Sequence, residues 1–404
     1  MPKRFASAAL AFIITISLIS CASTIENTRP LPIELRGIWI STTDSDVFRS
    51  RANIAAAMDF LAQHNFNVVF PSVWRQGATL YKSEVMKSTF GIEIDPKFAG
   101  RDPLAEFIEE AHKRNIAVIP WFEYGFVASH NQNGGTILQQ KPRWAARDRN
   151  GKVLLEDGYE WMNALDPEVQ EFMLSLVAEV VAKYDVDGVQ GDHRLPAQPI
   201  EGGYDSVTTA AYKETHPGYD PPLDIHETHW KYWRAVRLNA FVQQFYWKVK
   251  ALKPNVMVSW APGVSPKSLN EMLQDWRSWI SENVRGDYFA DLVHPRVFER
   301  DINRYKRVLD SQHRDSLKIQ QKNRYQYPAL RLADDNYAIS ESDLKEAVRY
   351  NRYSGYNGEV FSSYEALRRD NDRLANALKE SYYKTPARLP FTPEFMKKKA
   401  EITK

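Results

Sequence analysis

The sequence predicts an α/β fold, namely a (β/α)8 TIM barrel in a single domain with long loops after strands 3 and 4. Short apolar runs alternate with longer segments whose apolar residues recur at helical spacing. Strands that alternate with helices indicate parallel βαβ units, and eight such units are the number that closes a barrel. The predicted strands lie at residues 35–41, 66–73, 116–125, 186–193, 255–262 and 290–295, within 317–332, and at 358–364.

The segments between these strands carry helix signals. Pro103 stands at a first-turn position, and the segment that it opens ends on basic residues. An open doubly wound sheet is the competing architecture, but no G-x-G-x-x-G motif follows the first strand. The connections 126–165 and 194–226 are long, which indicates a functional role or small extra elements. The predicted helices lie at 53–63, 103–114, 166–184, 229–252, 269–281, 299–310, 341–353 and 365–379.

The composition limits the classes of protein and of site that the chain can form. A net charge of +2 over 404 residues gives no electrostatic reason to expect a nucleic-acid partner. Aromatic residues make up 12% of the chain, which suits a sugar-binding cleft and a large aromatic core equally well. The single cysteine, Cys21, excludes an intramolecular disulfide and a multi-cysteine metal site.

Residues 1–21 have the pattern of a bacterial lipoprotein signal peptide. Lys3 and Arg4 precede an apolar run that is too short to span a bilayer, and Leu18-Ile19-Ser20-Cys21 resembles a lipobox. We therefore expect lipidation at Cys21, a tether at 22–33, the barrel at 34–382 and a tail at 383–404. The protein would then be anchored to a membrane of the bacterial cell envelope and face the periplasm or the exterior.

The ends of the predicted strands concentrate polar and aromatic side chains, and this is where a barrel holds its active site. Glycoside hydrolysis needs two carboxyl groups that flank the scissile bond, with one as the acid and the other as nucleophile or base. Glu123 and Asp192 are the candidate catalytic pair. No H-x-x-x-H or H-E-x-x-H spacing is present, so we expect no metal and no cofactor. The candidate substrate-binding residues are Trp39, Trp74, Trp121, Gln190, His193, Arg194, Trp260 and Arg296.

Several stretches, taken in order, resemble the glycosyl-hydrolase-like family 10 of bacterial envelope proteins. They include RGIWIS (36–41), NFNVVFPSVW (65–74), IPWFEYGF (119–126) and YDVDGVQGDHRLP (184–196), with a weaker match at LVHPRVFERDINRY (292–305). The resemblance covers roughly residues 34–370. It implies a (β/α)8 glycosidase that acts on peptidoglycan glycan strands, with Glu123 and Asp192 at the positions of the family's acidic residues.

A second hypothesis is a catalytically weak or inactive carbohydrate-binding barrel. The family usually has two adjacent acids where this chain has Asp192-His193, and it tends to have PQVY where this chain has PRVF (295–298). Two carboxylates about 5–10 Å apart in one cleft would favour the enzyme, and an isolated Asp192 would favour the binding protein. Arg194 and Arg296 would either hold an acidic sugar or pair with Asp192 and Glu299.

Overall fold

The fold is described from a computed structural model of the chain. The structure describes residues 30–43, 45–280, 289–314 and 326–391. The predicted signal peptide, its Cys21 and most of the tether therefore lie outside the described residues, as does 392–404. The folded unit begins at Pro32. Among the described residues, no helix has the length and apolar character needed to cross a membrane.

Parallel strands in the predicted order form the centre of the fold. Five of them, at residues 329–331, 358–362, 35–40, 68–71 and 117–118, pair in that order, and the other three, at 292–293, 257–260 and 188–191, pair in that order. Isolated parallel bridges join the two sheets, from Trp121 to Gln190 on one side and from Val293 to Gln326 and Arg296 to Ala329 on the other. The strands are β1 (Leu35–Ile40), β2 (Val68–Pro71), β3 (Ala117–Val118), β4 (Gly188–Gly191), β5 (Met257–Trp260), β6 (Leu292–Val293), β7 (Ala329–Arg331) and β8 (Gly358–Ser362).

Helices follow each strand. The predicted helix at 269–281 is interrupted at Leu273, which adopts a left-handed backbone conformation with φ of 56°. The helices are α1 (Arg51–Gln63), α2 (Glu84–Phe90), α3 (Pro103–His112), α4 (Gly135–Gln140), α5 (Pro167–Lys183), α6 (Ser206–Thr215), α7 (Thr228–Leu252), α8 (Lys267–Met272), α9 (Trp276–Trp279), α10 (Ile302–Arg314), α11 (Glu341–Tyr353) and α12 (Tyr364–Glu380).

The connection after β3 folds into a small sheet of its own. Val127–His130, Leu155–Glu156 and Tyr159–Trp161 pair antiparallel, and α4 lies within the same connection. The third predicted strand is correspondingly shorter than expected, because Pro120 has no amide to donate and residues 123–126 form a turn. This turn directs Glu123 out of the strand. The small sheet brings Tyr159 back towards the turn.

Alternate positions along the strands pack into two clusters. One cluster faces the helices and includes Ile38, Val69, Val118, Val189 and Val258. The other, which we call the inner cluster, consists of side chains from the parallel strands and their ends. Its residues are Leu35, Trp39, Val68, Phe70, Ala117, Ile119, Trp121, Met257, Ala261, Leu292, Tyr327, Ala329 and Val360.

The end of the fold that lies opposite the candidate site is closed by polar contacts. Glu359, at the start of β8, is fully buried and accepts a hydrogen bond of 2.7 Å from the Tyr383 hydroxyl. Arg352 Nη1 lies 3.3 Å from the same carboxylate. The amide of Arg388 donates to the carbonyl of Pro32 at 2.8 Å. Packed contacts thus continue past residue 382, where we predicted the tail to begin.

Candidate active site

Glu123 and Asp192 lie at the same ends of two neighbouring strands. Trp121 pairs with Gln190, and the amide of Phe122 donates to the carbonyl of Gln190 at 2.9 Å. Glu123 and Asp192 each come two residues after this paired position, one in the turn after β3 and the other directly after β4. The ladder between these strands therefore brings together the two carboxyl groups that the sequence singled out.

Glu123 is buried, with 8% of its surface exposed. The Ser41 hydroxyl, which follows β1, lies 2.9 Å from one carboxylate oxygen and 3.1 Å from the other. Burial raises the pKa of Glu123, and the hydroxyls of Ser72 and Ser41 and the charges of Arg75 and Arg194 offset only part of this rise. The environment of Glu123 thus favours the protonated carboxyl group more than water does.

Asp192 has the opposite tendency, although its carboxyl group is fully buried. Burial by itself raises the pKa of Asp192, but the contact with His193 and the charges of Arg296 and Arg194 outweigh it and hold the pKa below its ordinary value. The amide of Arg194 donates to Oδ1 at 2.8 Å, and Arg296 Nη1 lies 3.5 Å from Oδ2. Asp192 is therefore held as a carboxylate.

His193 serves Arg296 as a hydrogen-bond acceptor. Arg296 Nη1 contacts His193 Nδ1, and the same ring nitrogen lies 3.2 Å from Oδ2 of Asp192. Burial and the charges of Arg296 and Arg194 lower the pKa of His193 to about 3, so the ring is neutral near pH 7. We assign the ring proton to Nε2, because an Nδ1 that accepts from Arg296 carries no proton. With His193 neutral, the two arginines are the cations that keep Asp192 ionised.

Arg194 and Arg75 extend the site on either side of Glu123. The Arg194 guanidinium lies over the ring of Tyr159 at 4.3 Å and over that of Tyr124 at 5.8 Å. Arg75 lies 5.6 Å from the centre of the Tyr124 ring and donates to Thr42 Oγ1 at 2.9 Å. Neither arginine forms an ion pair with a carboxylate of the described residues.

Trp39 and Trp121 form the floor of the site. Their rings lie 6.0 Å apart, and 4% and 7% of their surfaces are exposed. Trp39 Nε1 donates to Gln190 Oε1 at 2.6 Å, whereas the buried Trp121 Nε1 has no hydrogen-bond partner within the described part of the chain. Arg296 lies over Trp39 at 5.9 Å. The exposed edges of Trp39 and Trp121 form the aromatic surface of the site.

Trp74, Trp260 and Gln190 do not fit the predicted role in substrate contact, because all three side chains are fully buried. Trp74 Nε1 donates to the carbonyl of Gly125 at 2.9 Å, and Trp260 Nε1 donates to that of Phe289 at 2.9 Å. Both tryptophans belong to the cluster that faces the helices. Gln190 Nε2 donates to Ser259 Oγ at 2.9 Å, so its amide forms its hydrogen bond within the protein. These three residues support the site from within the protein and are not available to contact a substrate.

The prediction missed residues that arrive from distant parts of the chain. Gln274 Nε2 donates to the carbonyls of Asp192 and Pro196 at 2.8 and 3.0 Å, which holds the segment that carries Asp192. Ser41 and Arg75 follow β1 and β2, and their position at strand ends was the available signal. Tyr159 and Gln274 lie far from the carboxyl ends of the parallel strands, and no pattern in the sequence marks them.

Taken together, the site contains one carboxyl group whose pKa is raised and one whose pKa is lowered. Environments that separate two carboxyl groups in this way assign an acid and a base, or an acid and a nucleophile. The described residues contain no group of three or more His, Cys, Asp or Glu side chains placed to hold a metal ion.

Comparison with known proteins agrees with this chemistry. The chain is 27% identical to the glycosyl hydrolase DigH of Escherichia coli K12 over 345 residues. The aligned region covers 70% of each chain. It is 24% identical over 411 residues to the glycosyl hydrolase YngK of Bacillus subtilis 168, covering 92% of this chain and 76% of that one.

The fold is that of known glycoside hydrolases. It matches the PgaB (BpsB) glycoside hydrolase domain of Bordetella bronchiseptica with a TM-score of 0.63 at 12% identity, over 86% of this chain and 99% of that one. It also matches α-L-fucosidase isoenzyme 2 of Paenibacillus thiaminolyticus with a TM-score of 0.60 at 15% identity, over 87% of this chain and 49% of that one. These likenesses show a mixed α/β fold of the TIM-barrel type.

The model of the family described as Glycosyl hydrolase-like 10 matches residues 34–366, which is most of the chain. This span includes both candidate carboxyl groups and every strand of the parallel core. The chain therefore belongs to the glycosyl hydrolase-like 10 family and is a glycoside hydrolase.

Proposed function

We propose that the protein hydrolyses glycosidic bonds in peptidoglycan glycan strands or a related envelope polysaccharide. The observation that carries the chemistry is the contrast between Glu123, whose pKa is raised by burial, and Asp192, whose neighbours His193, Arg296 and Arg194 hold its pKa below the ordinary value. Glu123 is then the general acid and Asp192 the nucleophile or the base, with water as the second substrate.

The proposed reaction begins with a sugar bound across Trp39 and Trp121. Glu123 donates its proton to the glycosidic oxygen as the bond to the anomeric carbon breaks, so that the leaving sugar departs as an alcohol. Asp192 either bonds to the anomeric carbon or takes a proton from the attacking water. In the first case Glu123 then acts as the base that activates water. Ser41 orients the Glu123 carboxyl group throughout.

We further propose that the eight parallel strands close into a barrel. The two sheets together with the three isolated bridges give every strand a neighbour on each side, and this pattern supports closure. The site then lies at the carboxyl ends of the strands, with the connections after β3 and β4 forming part of its wall.

The choice of substrate and the anchor are proposed on sequence grounds. The resemblance that implies peptidoglycan fits a protein lipidated at Cys21, since an anchor of this kind would hold the enzyme beside the cell wall. Labelling with a fatty-acid analogue and partition into detergent test the anchor. The label should be lost in Cys21→Ser, and a label retained in that variant would contradict lipidation at this residue.

One observation favours the alternative, a carbohydrate-binding protein with little or no activity. Arg296 lies against Oδ2 of Asp192, which is an oxygen that a nucleophile would need to present to the sugar. In that case the cleft would bind glycan strands through its tryptophans and arginines and release no product.

Digestion of purified sacculi separates the two functions. Intact sacculi and sacculi stripped of stem peptides by an amidase are incubated with wild type, Asp192→Asn and the control Asp220→Asn, an exposed aspartate in the connection after β4. Soluble glycan fragments from wild type and the control, but not from Asp192→Asn, are the expected result. Retention of wild type on sacculi with no released fragments would contradict hydrolysis and support the binding protein.

A further inference from the structure

A cavity of about 600 Å³ is lined in part by Arg75 and is not used by the chemistry described above. The loops after β1 and β2 form it, and its volume lies in the range of small-molecule binding sites. The cavity is lined by Thr42, Thr43, Ser45, Asp46, Phe48, Arg49, Arg75, Gln76, Asp95, Lys97 and Phe98.

A short chain of hydrogen bonds connects the cavity to Glu123. Thr43 lines the cavity, and its hydroxyl lies 3.1 Å from Ser41 Oγ, which in turn donates to Glu123. In the order of the strands, the cavity belongs to β1 and β2, Glu123 to β3 and Asp192 to β4. The cavity and Asp192 therefore lie on opposite sides of the general acid. Since the nucleophile or base acts on the sugar that loses its leaving group, the cavity is placed to receive the leaving-group sugar.

Arg75 is the charged group that the cavity and the catalytic centre share. Its Nη1 is held by Thr42, its face lies over Tyr124, and its buried Nε has no hydrogen-bond partner among the described residues. A guanidinium held in one orientation is suited to a planar carboxylate.

Among the described residues that line the cavity, three side chains are basic and two are acidic. Arg49 pairs with Asp46 at 2.8 Å, but Arg75 and Lys97 form no ion pair with a carboxylate of the described residues. Asp95 accepts a hydrogen bond from the amide of Lys97 at 3.0 Å. Among the described residues near Glu123, Arg194 is also without an ion pair. A ligand that carries a negative charge would supply the missing partner.

We infer that this cavity is a subsite for a sugar that bears a carboxylate, and that Arg75 is the residue that selects it. The inference rests on the proposed function, because it takes Glu123 as the acid on the leaving-group side. It goes further by requiring an acidic sugar at that position, so a neutral amino-sugar polymer would be the poorer substrate.

The test compares glycan strands with free carboxyl groups, the same strands with those groups reduced to alcohols, and a neutral oligomer of N-acetylglucosamine. Wild type, Arg75→Gln, Arg75→Lys and the control Arg349→Gln, an exposed arginine of α11, are assayed for kcat/KM on each. Wild type and the control should prefer the carboxyl-bearing strands by about tenfold, the effect of one charge-assisted hydrogen bond. Arg75→Gln should lose this preference, so that the ratio of its kcat/KM on free strands to that on reduced strands falls to about one, with Arg75→Lys intermediate.

Binding of the same strands to Asp192→Asn, with and without Arg75→Gln, keeps the inference separate from the proposed reaction. Binding that depends on both the carboxylate and Arg75, without products from wild type, would refute hydrolysis but support the subsite. The subsite is refuted if wild type treats free and reduced strands alike, or if Arg75→Gln weakens both equally.

Discussion

Nη1 of Arg296 lies 3.5 Å from Oδ2 of Asp192, a carboxylate that is itself fully buried. A buried carboxyl group without a partner would hold its proton, so Asp192 is ionised because His193, Arg296 and Arg194 surround it. The same guanidinium nitrogen contacts His193 Nδ1, which stays neutral. The ionisation of Asp192 thus depends on a residue that lies 104 positions along the chain.

Replacing Arg296 should move the acidic limb of the pH profile. Arg296→Gln removes a cation beside Asp192, so the pKa of Asp192 rises and the fall of kcat/KM at low pH begins at a higher pH, by about one to three units. Arg296→Lys should shift it less, and Arg349→Gln should leave it in place. If the acidic limb of Arg296→Gln lies at the same pH as that of wild type, Arg296 does not control the pKa of Asp192.

His193 should not appear in the pH profile. Its pKa of about 3 keeps the ring neutral from about pH 5 to pH 8, so no inflection between these values arises from it. His193→Gln should therefore change the level of kcat/KM but not the shape of its pH dependence. The disappearance of an inflection near pH 6.5 in this variant would mean that His193 titrates there.

Glu123→Gln should lose activity in a way that depends on the leaving group. A sugar alcohol needs a proton to depart, so kcat on glycan strands should fall by roughly 100- to 10,000-fold. A nitrophenyl glycoside departs without that proton and should lose much less. Equal losses on both substrates would assign Glu123 to substrate binding rather than acid catalysis.

The same substitution should stabilise the fold at neutral pH. The folded pKa of Glu123 is raised, so its protonation adds stability that is present below the unfolded pKa and is lost as pH rises through the folded pKa. The glutamine side chain cannot ionise and so lacks this pH-dependent loss, and the Tm of Glu123→Gln should exceed that of wild type increasingly as the pH rises above about 4. Exposed Glu214→Gln is the control, and a Tm difference that does not grow with pH would refute the expectation.

Gln190 should matter for stability rather than for substrate contact. Gln190→Leu keeps much of the volume but leaves the buried Trp39 Nε1 without its acceptor, which should lower the free energy of unfolding by about 1–3 kcal/mol. Urea unfolding of this variant and of Gln243→Leu, on the exposed side of α7, measures the difference. Unchanged stability in Gln190→Leu would show that Trp39 finds another acceptor.

The sequence alone determined the order of strands and helices. It also identified the two carboxyl groups at the strand ends. Parallel strands end at one edge, so acids at the ends of consecutive apolar runs are brought together whatever the connections do. Glu123 and Asp192 follow this rule, and the family resemblance over 34–366 is confirmed.

Only the tertiary structure decided which aromatic residues reach the site and how each carboxyl group titrates. Strands that are buried on both faces give no hydrophobic signal for which face is inner. Trp39 and Trp121 thus belong to the inner cluster, while Trp74 and Trp260 pack under helices, although all four are tryptophans at strand ends. The cations around Asp192 and Glu123 come from separate connections, because electrostatic neighbours are set by distance in space and not by distance along the chain.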